Sequence, residues 1–382
     1  MTLLLSAGGC AAFSRSIPPA SRLISLSPSP TIARVITTPG PILSARAPTG
    51  VSAELFFIVD RLGRRTLVHL PLSCVMAGSE CPDRLEEIPD YPTSDVVAPL
   101  VWSPDGHLAV LVSRPSPDQV QQLVLFHADG PGFDPLTLGN DGAQESSDPA
   151  WSPDGHWIAF VGWEASRTDI VVVRADGFET RSLTSGLSGV MESPSWINAT
   201  TLAFVRVVGS ESLLYSVDIN SALPTPLALD ALNVLDPAVS PDGTRIAFVA
   251  GDLGQTSLFL ANSDGSAGAL AASVPNGAAS NPVWSPDGQW IAFAVDPQRG
   301  QVGPLLYAVS HDGEDLRMIG DVPAWAPVWS PDGRNLIFET LEEGHFRLWL
   351  ASVPEDAASP LSLPAQLAPQ SEEDWIAASW RP

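Results

Sequence analysis

Trp-Ser-Pro-Asp-Gly occurs four times in this chain, beginning at Trp102, Trp151, Trp284 and Trp329, and a fifth copy beginning at Val239 differs only in its first residue. A pentapeptide that returns roughly every 45 residues marks a repeat array, whose units cannot bury their apolar faces alone and must stack on one another. The interval between Trp151 and Val239 holds two periods, and Trp196 fills it: Pro194-Ser195-Trp196 matches Pro149-Ala150-Trp151, Pro282-Val283-Trp284 and Pro327-Val328-Trp329. Its turn has become Asn198-Ala199-Thr200, yet Leu202-Ala203-Phe204 follows where other units have Ile158-Ala159-Phe160, Ile246-Ala247-Phe248 and Ile291-Ala292-Phe293.

After each Ile-Ala-Phe run come two further strand-like runs. The first ends in Asp-Gly, as at Asp176-Gly177, Asp264-Gly265 and Asp312-Gly313. Asp-Gly supplies the positive φ that tight hairpins need. Each period therefore reads as four antiparallel strands, the footprint of one propeller blade. At the chain ends, Glu54 to Val59 and Thr66 to Leu70 look like a blade without its opening strand, and Ala378-Ser379-Trp380 looks like an opening strand without a blade. The reading is an all-β propeller whose C-terminal strand completes the first blade and leaves no open edge. Units starting near residues 53, 102, 151, 196, 239, 284 and 329 give seven blades, or six if the first is irregular.

The Pro-x-Trp-Ser-Pro-Asp-Gly-x-x-Ile-Ala-Phe repeat resembles the TolB-like, or PD40 (WD40-like), β-propeller family over roughly residues 52 to 382. That resemblance implies periplasmic or cell-surface binding proteins, and also the propeller domains of prolyl-oligopeptidase-like enzymes.

Charge narrows the partners. All 19 basic residues are Arg, the first 50 residues hold four of them and no acid, and residues 51–382 carry all 43 acids. Such a domain repels phosphate backbones, which argues against nucleic acid; cationic peptides, basic protein surfaces and divalent cations are attracted instead. The same charge also serves solubility.

Residues 1–10 end in Leu5-Ser6-Ala7-Gly8-Gly9-Cys10, similar to the end of a bacterial lipoprotein signal, with Cys10 as the lipidated residue. A plain export signal and an Arg-rich organelle transit peptide are the alternatives. Residues 11–50 are rich in Pro and Ser, a composition suited to a flexible tether, and residues 51–382 read as a single propeller domain. No run reaches the roughly 20 apolar residues of a membrane span, so attachment would be by lipid. The location expected is the bacterial cell envelope, lipid-anchored or else periplasmic or extracellular. Cys74 and Cys81 are expected to form a local disulfide in an exported protein.

The sequence holds no Gly-x-Ser-x-Gly elbow, no phosphate loop, no His-Glu-x-x-His and no dinucleotide fingerprint. Trp102, Trp151, Trp284 and Trp329 are expected to pack between blades. The motif aspartates Asp105, Asp154, Asp242, Asp287 and Asp332 are expected to hydrogen-bond their own turns. The more informative set precedes the Pro of each unit: Asp148, Ser193, Asp236 and Asn281, with Ala98 and Ala326 completing a ring where the innermost strands begin. Their oxygens would face the channel mouth and suit a cation or the amino group of a peptide, with the non-motif Trp163 and Trp325 as further ligand-lining candidates. Capping of the Pro turn is the structural alternative. The functional expectation is a non-catalytic, monomeric scaffold that binds protein or peptide and needs no cofactor beyond a possible divalent cation at the mouth. The alternatives are a hydrolase or lyase with a channel-mouth active site, or an accessory subunit of an envelope complex. A clustered set of strongly shifted titratable groups in the channel would favour the enzyme.

Overall fold

The computed structural model describes residues 54–381 apart from 62–63, 72–85, 89–99, 114–120, 131, 136–144, 165–166, 230, 232, 253–254, 298–302, 354–364 and 368–372. Cys10, Cys74, Cys81, Ala98 and the proposed tether lie outside the described residues. The described residues form seven four-stranded antiparallel sheets and no helix. Six sheets follow chain order. The seventh places the C-terminal strand, Asp374–Arg381, beside Glu54–Arg61, followed by Arg64–Pro71 and Glu86–Glu87. The first strands of successive blades touch one another in an unbroken circle that includes this C-terminal strand, so the ring is closed and the first strands surround its axis. Seven is therefore the blade count, and the first blade is regular once its inner strand is taken from the other end of the chain.

The second strand of each blade is buried on both faces, which is why Ile-Ala-Phe is apolar without alternation. Phe57, Phe160, Phe204, Phe248, Phe293 and Phe338 are among the largest fully buried side chains, each contributing about 1.5–3 kcal/mol of burial. The apolar clusters lie between blades: Ala159, Val161 and Ile170 of blade 3 pack on Met191, Trp196 and Phe204 of blade 4. A single blade thus contributes half of each of two cores.

The pentapeptide builds the turn between first and second strands. Ser103, Ser152, Ser240 and Ser285 donate to Asp105, Asp154, Asp242 and Asp287 at 2.6 Å, and Ser330 does the same to Asp332 at 2.5 Å. The same carboxylates accept the amides of His107, His156, Thr244, Gln289 and Arg334. The Ser hydroxyls hold Asp105 and Asp242 below the ordinary carboxylate range. Gly243 shows why the turn ends in glycine: its φ is +72°, and a Cβ there would lie 2.2 Å from the Ile197 carbonyl oxygen.

The motif Trp ties neighbouring blades. The indole N–H of Trp151 donates to the Val101 carbonyl at 2.8 Å, Trp196 to Ala150 at 3.0 Å, Trp284 to Ala238 at 2.9 Å and Trp329 to Val283 at 3.0 Å. Where Val239 replaces Trp, the Ser195 hydroxyl accepts the Val239 amide at 3.1 Å instead. The buried indole nitrogens of Trp102 and Trp380 have no such partner. The two interfaces of blade 1 therefore lack the bond that recurs elsewhere.

Candidate functional site

Each of the six described ring positions coincides with a break in register. Pairing with the second strand shifts between Ser147 and Ala150, Glu192 and Ser195, Leu235 and Ala238, Ser280 and Val283, and Trp325 and Val328; the C-terminal strand shifts opposite Phe56 and Ile58. At these bulges Asp148, Ser193, Asp236, Asn281, Ala326 and Ala377 have φ between +47° and +55°. The ring is thus a set of left-handed bulge residues.

This corrects the expectation that the innermost strands begin at the ring. Those of blades 3, 4 and 6 span Glu145–Trp151, Val190–Trp196 and Gly277–Trp284, so they start three or four residues earlier. Proline inside a strand reads as a stop because it has no N–H to donate, but a bulge removes that requirement. The ring accordingly sits within the strands, and the Ser-Pro-Asp-Gly turns lie at their opposite ends.

Asp and Asn tolerate the left-handed region better than most residues, so backbone geometry accounts for part of the composition. It does not account for all of it, because Ala326 and Ala377 hold the same conformation with no polar group. Oxygen-bearing side chains occupy four consecutive blades, 3 to 6, while the ring positions of blade 7 and of the C-terminal strand carry methyl groups. The result is a polar arc facing an apolar one.

Within the arc, Asp236 reaches to the next blade, where its Oδ2 accepts the Asn281 amide at 3.1 Å. Asp148 keeps open surface, yet the surrounding strands crowd it. Burial raises its carboxyl above the ordinary range, a bond from Ser147 opposes the shift, and the negative Asp236 adds to it. These two carboxyls, on blades 3 and 5 with blade 4 between them, therefore sense one another. Trp163, 38% exposed, stands at the outer end of the second strand of blade 3. Its indole N–H lies 3.5 Å from the Ser147 hydroxyl, which places it beside the arc. Trp325 does not join it. It packs edge-on to Phe346 with ring centroids 6.4 Å apart, and a Cβ on Gly303 would lie 2.8 Å from its ring.

A residue that motif reasoning missed is Glu339. It lies in the second strand of blade 7, opposite Trp325, and its Oε1 accepts the Ala377 amide at 2.7 Å. Burial raises its carboxyl to about 7, and the Ala377 bond opposes that shift. Stepping three residues on from the partner of the motif Trp finds Ile58, Val112, Val161, Val205, Val249 and Ala294 at the same place in the other blades. That alignment would have exposed Glu339 as the one acid in an apolar series. Asp148 stands on blade 3 and Glu339 on blade 7, so the two raised carboxyls belong to different parts of the ring.

Three of the histidines have polar partners of their own. His107 Nδ1 lies 2.8 Å from Asp129, His345 Nδ1 lies 3.1 Å from Asp374, and His156 Nδ1 lies 2.7 Å from the Asp154 carbonyl oxygen. Among the described residues no group of three or more His, Cys, Asp or Glu side chains is arranged to hold a metal ion.

No family model matches the chain. It is 30% identical to a TolB homolog of Chlorobium luteolum over 116 residues, 29% of this chain and 25% of that relative, so the matched segment spans a quarter of the relative's length. Among solved structures it superposes on a putative TolB from Agrobacterium tumefaciens with a TM-score of 0.52 and 20% identity, covering 74% of this chain and 95% of that one. It also superposes on an oligogalacturonate lyase from Vibrio parahaemolyticus with a TM-score of 0.55 and 14% identity, covering 83% and 85%.

Proposed function

We propose that this TolB-like β-propeller is a non-catalytic scaffold of the bacterial envelope that recognises a protein or peptide through the polar arc of its channel. The arc itself carries the reading. Asp148, Ser193, Asp236 and Asn281 stand on four consecutive blades at a backbone position that Ala326 also fills, so their oxygens are not required by the bulge. Two carboxylates backed by a hydroxyl and an amide suit a single positive group, such as a peptide amine or an Arg or Lys side chain. Trp163 offers an adjacent flat apolar surface of the kind that anchors a neighbouring side chain. The net charge of −24 favours encounter with a cationic partner. Export, a lipid anchor at Cys10, a Cys74–Cys81 disulfide and a monomeric state belong to the same proposal, as does a divalent cation as a competing occupant of the arc.

The enzyme alternative draws on the likeness to the lyase, which is one of fold. It is disfavoured by the separation of the two raised carboxyls, because paired acid–base chemistry needs them near one substrate. A pull-down from bacterial envelope extract tests the proposal, using the wild-type chain and the Asp148→Ala/Asp236→Ala double variant and quantifying recovered proteins by mass spectrometry. At least one protein is expected to fall about tenfold or more with the variant. Identical recovery by a variant with an unchanged melting temperature would refute the arc as the binding site.

A further inference from the structure

In every blade the Phe position of the Ile-Ala-Phe run starts a row of paired residues that crosses the sheet to its outer strand. In five blades the row ends on a charged, polar or proline residue: Glu87, Pro135, Ser182, Pro226 and Gln366. In blades 5 and 6 it ends on Leu270 and Met318, which are 58% and 44% exposed. The blade 5 row is apolar throughout, running from Phe248 through Phe259, whose rings stack 5.7 Å apart, to Leu270.

An outer strand offers unpaired N–H and C=O groups as a template for another strand, and native edges are protected by charge, proline, bulges or brevity. On blade 6 the edge strand Leu316–Met318 carries Arg317, bonded to Asp315. Blades 4 and 7 have outer strands of two residues, Thr225–Pro226 and Ala365–Gln366. The blade 5 strand, Ala269–Ala272, has neither charge nor proline, and neither does the stretch from Ser266 to Val274 around it. Among the described residues no strand pairs with its outer side. Its one irregularity is the register break at Ala271, which leaves Ala269 and Leu270 regularly paired with Leu260 and Phe259.

We propose that this edge docks an extended segment of a partner protein, which adds antiparallel to blade 5 as a fifth strand and sets an apolar residue opposite Leu270. Backbone bonds supply the affinity of such an addition, and side-chain pairs across the new ladder supply its register. Charge specifies the partner further. Asp264 lies in the turn that leads into the strand, and Asp312 and Glu314 flank Gly313, where an added Cβ would lie 3.1 Å from the Ala271 carbonyl oxygen. All three acids are exposed, while Arg245 in the same corner donates to the His311 carbonyl. The partner's apolar run is therefore followed by Lys or Arg. A second copy of this chain fits less well, because each copy carries a net charge of −24. The edge lies on the outer wall of the ring and uses no residue of the polar arc.

Hydrogen exchange of the full chain with synthetic peptides tests the site. The probe is a short peptide of alternating Thr and Val that ends in two Lys; one control carries Pro in place of the central Val residues, and another ends in two Glu. The probe should slow exchange of the Ala269 to Ser273 amides about tenfold at saturation, and the Pro control should not. The Glu-ended control should bind about fivefold more weakly or worse. Leu270→Lys, at an exposed position, should weaken the probe about tenfold or more without changing the melting temperature. Met318→Lys and the Asp148→Ala/Asp236→Ala double variant should bind as wild type does. The proposal is overturned if the probe leaves the edge unprotected, if the Pro control protects it equally, or if Leu270→Lys binds as tightly as wild type. Protection lost in the double variant would place the peptide in the arc, and protection that grows with protein concentration alone would make a second copy the occupant; either result also overturns it.

Discussion

The interfaces joining blades 2 to 7 and the two interfaces of blade 1 do the same job by different chemistry. At four of the former, a motif Trp inserts between blades and its N–H finds a carbonyl on the preceding first strand; at the fifth, Ser195 serves Val239. Around blade 1 the indole nitrogens of Trp102 and Trp380 are buried without that bond. The polar links there are Glu339 to Ala377, Asp374 to the Phe346 amide, the Ser379 hydroxyl to the Leu100 carbonyl, and Arg381 to the Gly106 carbonyl and Asp129, of the kind that at other interfaces supplement the Trp bond. Arg381 also stands over the Trp102 ring, 5.9 Å from its centroid. The seam joins the two ends of the propeller.

The largest effect should come from removing the closure outright. Ending the chain before Asp374 strips Trp375, Ala378 and Trp380 from the core they share with Leu55, Phe57 and Leu348. Losing two buried Trp at about 3–5 kcal/mol each consumes much of the 5–15 kcal/mol typical of a folded domain. Differential scanning calorimetry should show the sharp transition replaced by a broad one at lower temperature. An unchanged transition would mean that blade 1 closes without its inner strand. The smallest effect concerns the bulges. Ala326 and Ala377 hold a left-handed conformation that glycine adopts freely, so Ala326→Gly and Ala377→Gly should each change stability by less than about 1 kcal/mol, with relief of strain partly offset by added unfolded-state freedom. Urea titration of each variant measures the change, and losses above about 2 kcal/mol at either position would show that the methyl group packs against the ring.

The blades were legible because each is written several times: five copies of one turn and a repeated Ile-Ala-Phe define strands whose features would be ambiguous singly. Ring closure was legible from the mismatched ends, Glu54 to Leu70 and Ala378 to Trp380. The bulge was not, because Pro149, Pro194, Pro237 and Pro282 read as strand openings while the register break that accommodates them is a pairing property. The ring was found as a set of oxygens, but its two-sidedness became meaningful only when Ala326 and Ala377 proved to share the Asp148 backbone conformation. Glu339 stayed hidden for a different reason. Motif reasoning weighs what recurs, and Glu339 matters because it occurs once in a series of buried aliphatic residues; its bond to Ala377 joins residues 38 apart in sequence.

The distinction between regular interfaces and the seam is tested most directly by making the same substitution on both sides of it. Trp284→Phe and Trp380→Phe each remove an indole N–H from a buried motif position, but only Trp284 is bonded, to the Ala238 carbonyl at 2.9 Å. Chemical denaturation should show Trp284→Phe costing about 1–3 kcal/mol more than Trp380→Phe, because it strands a buried carbonyl that the other variant does not. Equal costs at the two positions would contradict the account, since the seam would then be held as the other interfaces are.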